Sequence, residues 1–283
     1  MANRTWGRDL GIGGDYNDAA NWVTAAVPGA GDHVRIPYGS QDAITLSLNA
    51  SAVAIGDFIV ESGAPAIGHA PATATGLGAP VYLQIDPDRF VFDGTADSFI
   101  DLGTAAIAPQ IDGTSTPSTG ERGLYLLGTA MTTLAINGGH VGVAWAMGEV
   151  STATTIAVDG SDTTAWLGAG ITLTNFTQQN GTSVVLCSHT TANIHRGTVT
   201  TKGAATITTC NVYGGLFIPN STGTITTLNV YGGIVDLTRS AAARTITTLN
   251  LYPAGAVYYD PTVATVTTFS PKQPIAISTS RVS

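Results

Sequence analysis

A nine-residue phrase recurs in the last third of the chain and constrains the fold more than any other feature. It starts at Ile207, Ile225, Ile246 and Val266, and its fullest copies end in Asn-Val-Tyr-Gly-Gly. The starts are 18, 21 and 20 residues apart. Helical-hairpin repeats need more than about 30 residues, whereas a period near 20 suits one rung of a β-solenoid. The repeat therefore predicts stacked strands, with one copy of the phrase in each rung.

Composition favours the same fold class. Charged residues are 11% of the 283 residues, compared with about 25% in typical soluble domains. The 34 glycines disfavour long helices, and the abundant threonine is β-branched and favours strands. A hydrophobic fraction of 43% can form a sizeable core. We therefore expect an all-β parallel β-helix with rungs of about 18–22 residues.

Weaker copies of the phrase extend the repeat towards the N-terminus. With the first residue of the phrase as position zero, these copies start at Met131, Ala153, Ile171 and His189. Positions three and five are mainly apolar and two residues apart, so they are predicted to point into the core. Threonine, asparagine and tyrosine at positions two, four and six are predicted to face outward. Tyr213, Tyr231 and Tyr252 at position six are therefore candidate subunit or partner contacts.

The chain is predicted to have four segments. They are an N-terminal arm or cap (1–37), an irregular β-rich part (38–130) with loops at 62–80 and 114–120, the regular solenoid (131–271) and a tail (272–283). Trp6 and Trp22 give the first segment two interpretations. It is either an arm whose indole rings contact a partner, or a cap that covers the open core of the first rung.

Charge and hydropathy exclude several classes of partner. A net charge of −8 without a basic cluster argues against nucleic-acid binding. No apolar stretch approaches the roughly 20 residues that span a bilayer. The order of residues from Met1 to Gly7 is not that of a signal peptide. We therefore expect a soluble protein with neither a nucleic-acid nor a membrane partner.

The residues that could carry chemistry form no recognisable catalytic or metal-binding motif. Cys187 and Cys210 lack metal-ligand spacing and are expected to be free thiols, and the five histidines form no zinc or triad motif. The densest carboxylate cluster contains Asp86, Asp88, Asp93, Asp97 and Asp101. These acids suit either an acid pair of a β-helix polysaccharide enzyme or simple turns, and we prefer turns because the spacing is not that of a calcium loop. An ice-binding array would need alternately exposed threonines, but asparagine and tyrosine take the next outward positions. We expect no enzyme activity, cofactor or metal.

Two features together resemble a known group of proteins. The repeat phrase, preceded by Asn21-Trp22 and the stretch from Val27 to Pro37, resembles the β-helical virion proteins of tailed bacteriophages. That group includes capsid decoration (cement) proteins and tailspike-like trimers. The resemblance covers about residues 20–271 and implies a right-handed coil, a homotrimer and a place on the outer surface of the virion.

The resemblance leaves three roles open, of which we prefer capsid decoration. The partner would then be the major capsid protein. A tail fibre or tailspike-like receptor-binding protein is the alternative, and a polysaccharide-degrading enzyme is the third. A polysaccharide-cleaving tailspike would normally be longer than 283 residues and would bring an acidic groove.

Overall fold

The computed structural model describes residues 1–7, 14–40, 43–69, 80–114, 123–239 and 243–272. Over these ranges the chain is a parallel β-solenoid of about 11 turns, with no α-helix and one 3-10 helix at Ala19–Asn21. The predicted all-β solenoid is therefore confirmed. Most of the predicted loops at 62–80 and 114–120, and all of the tail after Lys272, lie outside the described residues.

The strands are numbered along the chain. They are β1 (Asn3–Thr5), β2 (His33–Ile36), β3 (Asn49–Val60), β4 (Leu83–Asp93), β5 (Ser98–Asp101), β6 (Gln110–Gly113), β7 (Leu124–Leu127), β8 (Met131–Ile136), β9 (His140–Val143), β10 (Ser151–Val158), β11 (Thr164–Leu167), β12 (Ile171–Gln178), β13 (Thr182–Val185), β14 (His189–Ile194), β15 (Thr198–Thr201), β16 (Ile207–Val212), β17 (Leu216–Pro219), β18 (Ile225–Leu237), β19 (Arg244–Tyr259) and β20 (Ala264–Pro271).

These strands stack into two parallel ladders, because most rungs contribute one strand to each. Ladder A runs through β1, β2, β3, β4, β6, β8, β10, β12, β14, β16, β18, β19 and β20. Ladder B runs through the first part of β3 and then β4, β5, β7, β9, β11, β13, β15, β17, β18 and β19. The long strands β18 and β19 continue from one ladder into the other, with a register shift between Val230 and Gly232.

Position five forms one buried column through ladder A. Its members are Ile36, Val60, Phe92, Ile111, Ile136, Val158, Gln178, Ile194, Val212, Val230 and Leu251. All are at most 8% exposed. Gln178 is the polar member, and its amide is satisfied because the Ser183 hydroxyl donates to Oε1 at 2.5 Å while Nε2 donates to the Asn180 carbonyl at 2.5 Å. Since the column reaches Ile36, the predicted boundary at residue 131 marks a change in regularity and not in architecture.

The predicted copy at Ile171 is out of register by two residues. In ladder A, Ala153 pairs with Leu173, and Phe176 pairs with Ala192. Position zero of this rung is therefore Leu173, and Phe176 lies at position three. The prediction was wrong because Ile171 is also buried, so an alternating pattern fits either frame.

The N-terminal segment closes the first rung as a cap. The Trp6 and Trp22 rings meet edge to face with centroids 5.2 Å apart, and Tyr16 meets Trp22 at the same distance. The Trp22 indole N–H donates to the Tyr16 carbonyl at 2.9 Å. Trp6 is 1% exposed and Trp22 is 0% exposed. The two rings cover the core, which is the cap interpretation, and a partner contact through them stays a prediction.

Asp32 fastens the same cap to the chain terminus. Its carboxylate accepts hydrogen bonds from Arg4 Nε at 2.8 Å, Ala2 N at 2.7 Å and Gly29 N at 3.1 Å. The Arg4 guanidinium, followed by the two backbone N–H groups, lowers the pKa of Asp32 to about 2. The ionised form of Asp32 is therefore the one that holds the cap.

Candidate partner-binding face

Four asparagines at position four form a hydrogen-bonded ladder on the outer side of ladder A. Asn211 Nδ2 donates to Asn193 Oδ1 at 2.9 Å, and Asn229 Nδ2 donates to Asn211 Oδ1 at 2.8 Å. Asn250 Nδ2 continues the series to Asn229 Oδ1 at 2.8 Å. Stacked parallel strands place identical side chains one rung apart, so each amide can donate to the previous one. The ladder fixes the amide orientations of this face.

A stack of aromatic rings runs beside the asparagines at position six. His195 and Tyr213 have ring centroids 4.8 Å apart, Tyr213 and Tyr231 are 5.1 Å apart, and Tyr231 and Tyr252 are 4.4 Å apart. The first two pairs are inclined by 10° and 8°, and the last by 29°. The structure thus brings together all three tyrosines that the sequence singled out, and it adds His195. We call these four rings the aromatic stack.

The aromatic stack is open to solvent yet rigid. Tyr213 is 46% exposed, while His195, Tyr231 and Tyr252 are half-buried against their neighbours. Desolvation, followed by the Tyr252 hydroxyl, raises the pKa of Tyr231. The Tyr231 phenol is therefore a neutral donor and acceptor at neutral pH. Rings held by their neighbours lose little side-chain entropy when a partner covers them.

Towards the N-terminus the position-six column becomes acidic. It holds Asp159 after β10, Asn137 after β8 and Asp112 in β6, while Asp93 at the end of β4 pairs with Gly113 after a register shift. Asn137 Nδ2 donates to Asp112 Oδ1 at 2.9 Å. Desolvation, and then the negative charge of Asp112, raises the pKa of Asp93. The column therefore has carboxylates on the N-terminal side of the aromatic stack and Lys272 on its C-terminal side.

Two columns of exposed hydroxyl side chains flank position zero. Before it lie Thr152, Thr172, Ser188, Thr206, Thr224, Thr245 and Thr265, and after it lie Thr132, Thr154, Thr174, Thr190, Thr208, Thr226, Thr247 and Thr267. The expectation that exposed threonines do not alternate is therefore wrong. That expectation took into account only the positions that follow position zero and left out the threonine that precedes it. The resulting Thr-x-Thr spacing around Ile207, Ile225 and Ile246 is visible in the sequence. These columns extend the uncharged polar surface beside the asparagines.

The acids that the sequence singled out are divided between the two ladders, and both cysteines are buried. Asp93 ends β4 in ladder A, whereas Asp101 ends β5 in ladder B. Within the described ranges, no three His, Cys, Asp or Glu residues are grouped so that they could hold a metal ion. Cys187 and Cys210 are buried free thiols, and desolvation raises the pKa of the Cys187 thiol to about 12.

Ladder B carries a groove that the sequence did not reveal. It encloses about 470 Å³. Its lining residues are Leu48, Asn49, Pro80, Val81, Tyr82, Gln84, Asp101 and Leu127. Asn49, Gln84, Asp101 and Leu127 are register partners in successive strands, so they form one column across four rungs. Their irregular sequence spacing gave no repeat signal.

No protein-family model, no curated protein and no solved structure matches the chain significantly. No helix in the part of the chain that the structure describes is long and apolar enough to cross a membrane. The fold is therefore established by the strand pairing itself, as a parallel β-solenoid outside any matched family.

Proposed function

We propose that this chain is a non-enzymatic structural protein that decorates the outer surface of a bacteriophage capsid and forms a homotrimer through the aromatic stack. The proposal combines the sequence resemblance with one structural observation. That observation is the aromatic stack beside the asparagine ladder, a surface of rings and amides with Lys272 at its C-terminal end.

This surface has the chemistry of a subunit contact. Interfaces are enriched in tyrosine and depleted of charged residues at their centre. The three tyrosines present ring area and a hydroxyl group at nearly constant spacing. Copies of the rod can therefore meet along several rungs at once, and the many small contacts add together.

The trimer would stabilise a capsid by binding only the assembled shell. A ligand that binds the assembled state shifts the equilibrium towards it, and several subunits that bind together add avidity. We place the contact with the major capsid protein in the first rungs, where the solenoid is least regular. The buried Trp6 and Trp22 rings support this contact by holding the cap.

Particles with and without the protein test the proposal. Capsids that lack the protein should lose their genome at lower temperature and after milder osmotic shock, and adding the purified trimer should restore resistance. Equal resistance of the two kinds of particle would refute the decoration role. Immunogold labelling at the tail tip would instead favour a receptor-binding fibre.

A further inference from the structure

We propose that the groove of ladder B binds an uncharged saccharide. This second surface does not depend on the decoration role, and it lies on the opposite ladder from the aromatic stack. Its volume of about 470 Å³ falls within the roughly 300–1,000 Å³ of small-molecule sites. We infer the class of ligand from the arrangement of apolar and polar side chains along the two sides of the groove.

Tyr82 forms the aromatic side of the groove, and it packs against a stacked pair of rings that do not line the groove. Phe99 and Tyr125 stack with ring centroids 4.4 Å apart and an interplanar angle of 10°. Tyr82 meets Phe99 edge to face at 5.8 Å. A pyranose ring has apolar C–H faces, and flat aromatic side chains such as Tyr82 can pack against such a face. Phe99 lies two positions before Asp101 in β5, and Tyr125 lies two positions before Leu127 in β7. Side chains two positions apart in a strand point the same way, so these rings share one face of the ladder with the column of Asp101 and Leu127.

The other side of the groove carries polar groups from neighbouring rungs. Asn49, Gln84 and Asp101 are register partners. The Asp101 Oδ1 atom accepts from the Gly103 N–H at 2.9 Å, which holds the carboxylate in place. Two amides and one carboxylate supply donors and acceptors together, and these match the hydroxyl groups at the rim of a sugar.

Tyr82 is held in place by a segment from a later rung. Its hydroxyl donates to the Glu149 carboxylate, which also accepts from the Ala146 N–H at 2.8 Å. Desolvation, then the bond to Glu149, raises the pKa of Tyr82, so the phenol stays protonated as a donor. This arrangement gives the groove a fixed aromatic wall before a ligand arrives.

Charge selects among carbohydrates. Asp101 lines the groove and Glu149 lies beside its aromatic wall, while no lysine or arginine is among the lining residues that the structure describes. The chain as a whole has a net charge of −8. Sialylated, sulfated and uronic-acid sugars would therefore be repelled, whereas neutral sugars would not.

A glycan array with the full-length protein provides the test. The array should contain neutral oligosaccharides of glucose, mannose and galactose, together with sialylated and sulfated counterparts. We expect binding to at least one neutral probe and to none of the acidic ones, and titration calorimetry with that free oligosaccharide should reproduce it. No neutral binding, or a preference for acidic probes, would overturn the proposal.

Two variants locate the binding, and a third serves as the control. Asp101→Asn keeps an acceptor for the Gly103 N–H, and Gln84→Ala removes only a half-buried amide. Each should weaken binding about tenfold or more, the size of a lost hydrogen bond to a buried polar partner. Tyr258→Ala removes an exposed tyrosine of β19, outside both the groove and the aromatic stack, and should leave sugar binding unchanged. Unaltered affinity in both groove variants, with circular dichroism and melting temperature as in the wild type, would place the sugar elsewhere and refute the assignment.

Discussion

Asn229 both donates to Asn211 at 2.8 Å and accepts from Asn250 at 2.8 Å, so one side chain links three rungs of the solenoid. Parallel stacking makes this possible, because each rung presents its asparagine at the same register. The asparagine ladder therefore stabilises the same rungs that display the aromatic stack.

Removing an inner asparagine should cost more than removing an end one. Asn211→Ala leaves both the acceptor of Asn193 and the donor of Asn229 without their partners. Asn250→Ala breaks only the bond to Asn229. We expect a loss of about 1–3 kcal/mol of unfolding free energy for Asn211→Ala and about half of that for Asn250→Ala. Guanidinium denaturation measures both, and equal losses would show that the ladder does not act as a chain.

Tyr231 is the centre of the proposed subunit contact. Tyr231→Ala removes the ring that stacks with both Tyr213 and Tyr252. If the aromatic stack forms the trimer, the dissociation constant should rise about thirtyfold, corresponding to a hot-spot loss of about 2 kcal/mol. Analytical ultracentrifugation measures this. Tyr258→Ala is the matched control, because Tyr258 is 57% exposed and lies outside the stack. A Tyr231 variant that remains as associated as the control would exclude this face.

The glycine at a rung corner should tolerate no side chain. Gly215 has φ +72°, and an added Cβ would lie 2.5 Å from the Gly197 carbonyl oxygen of the rung below. Gly215→Ala combines left-handed strain of about 1–2 kcal/mol with overpacking of about 1–3 kcal/mol. Gly203 has φ +64° but open space around its Cβ position, so Gly203→Ala should cost the strain alone. Thermal unfolding distinguishes them, and similar melting temperatures would contradict the close stacking of the corners.

His189 should make the solenoid less stable in mild acid. Its ring lies in the core at 5% exposure, and its Nε2 has no hydrogen-bond partner. Desolvation lowers its pKa, although the Cys187 carbonyl acts weakly in the opposite direction. The stability contributed by the neutral ring is complete above the unfolded pKa of about 6.5 and is lost as the pH falls from there through the folded pKa.

Substitution of the same residue isolates this effect. His189→Leu places an aliphatic side chain at a position that Leu173 and Ile207 occupy in adjacent rungs. Denaturant titrations at pH 7.5 and pH 5 should show a smaller loss of stability in the variant than in the wild type. The same loss in both proteins would assign the pH dependence to other groups.

Trp22 distinguishes a cap from an arm. Because its ring is fully buried, Trp22→Ala should cost about 3–5 kcal/mol of stability, whereas Trp22→Phe should recover part of it. Differential scanning calorimetry of the isolated protein gives the answer without any partner. A Trp22→Ala variant with unchanged stability would restore the arm interpretation.

The sequence predicted the register of the rungs where the phrase repeats closely, and it predicted the wrong register where the match to the phrase is weak. The phrase at Ile207 and Ile225 identified both the inward and the outward columns, because its period matches one rung. The rung of Leu173 was placed two residues too early, because that register puts Asn175 in line with the asparagines at position four. In the structure Asn175 pairs with Thr191, which lies at position two. Periodicity cannot separate two frames that both bury apolar side chains.

The candidate sites were predictable to different degrees for the same reason. The aromatic stack was visible because equal spacing in sequence becomes adjacency in space. The groove was not, since Asn49, Gln84 and Asp101 meet only after loops of unequal length bring their strands together. Trp6 and Trp22 show a further limit of prediction from sequence. A large apolar ring is compatible both with a cap over the core and with a contact to a partner, and the sequence alone does not separate the two.

The position-six column gives the rod a direction. Two rods that meet side by side in the same direction can bring each ring of the aromatic stack against the same ring of the other copy, with Asp93 of both copies on the N-terminal side of the rings. Reversing one rod about Tyr231 would instead set Tyr213 of each copy against Tyr252 of the other. A contact between matching rings therefore requires parallel copies, and parallel copies related by rotation about a single axis form a cyclic complex with two chemically different ends.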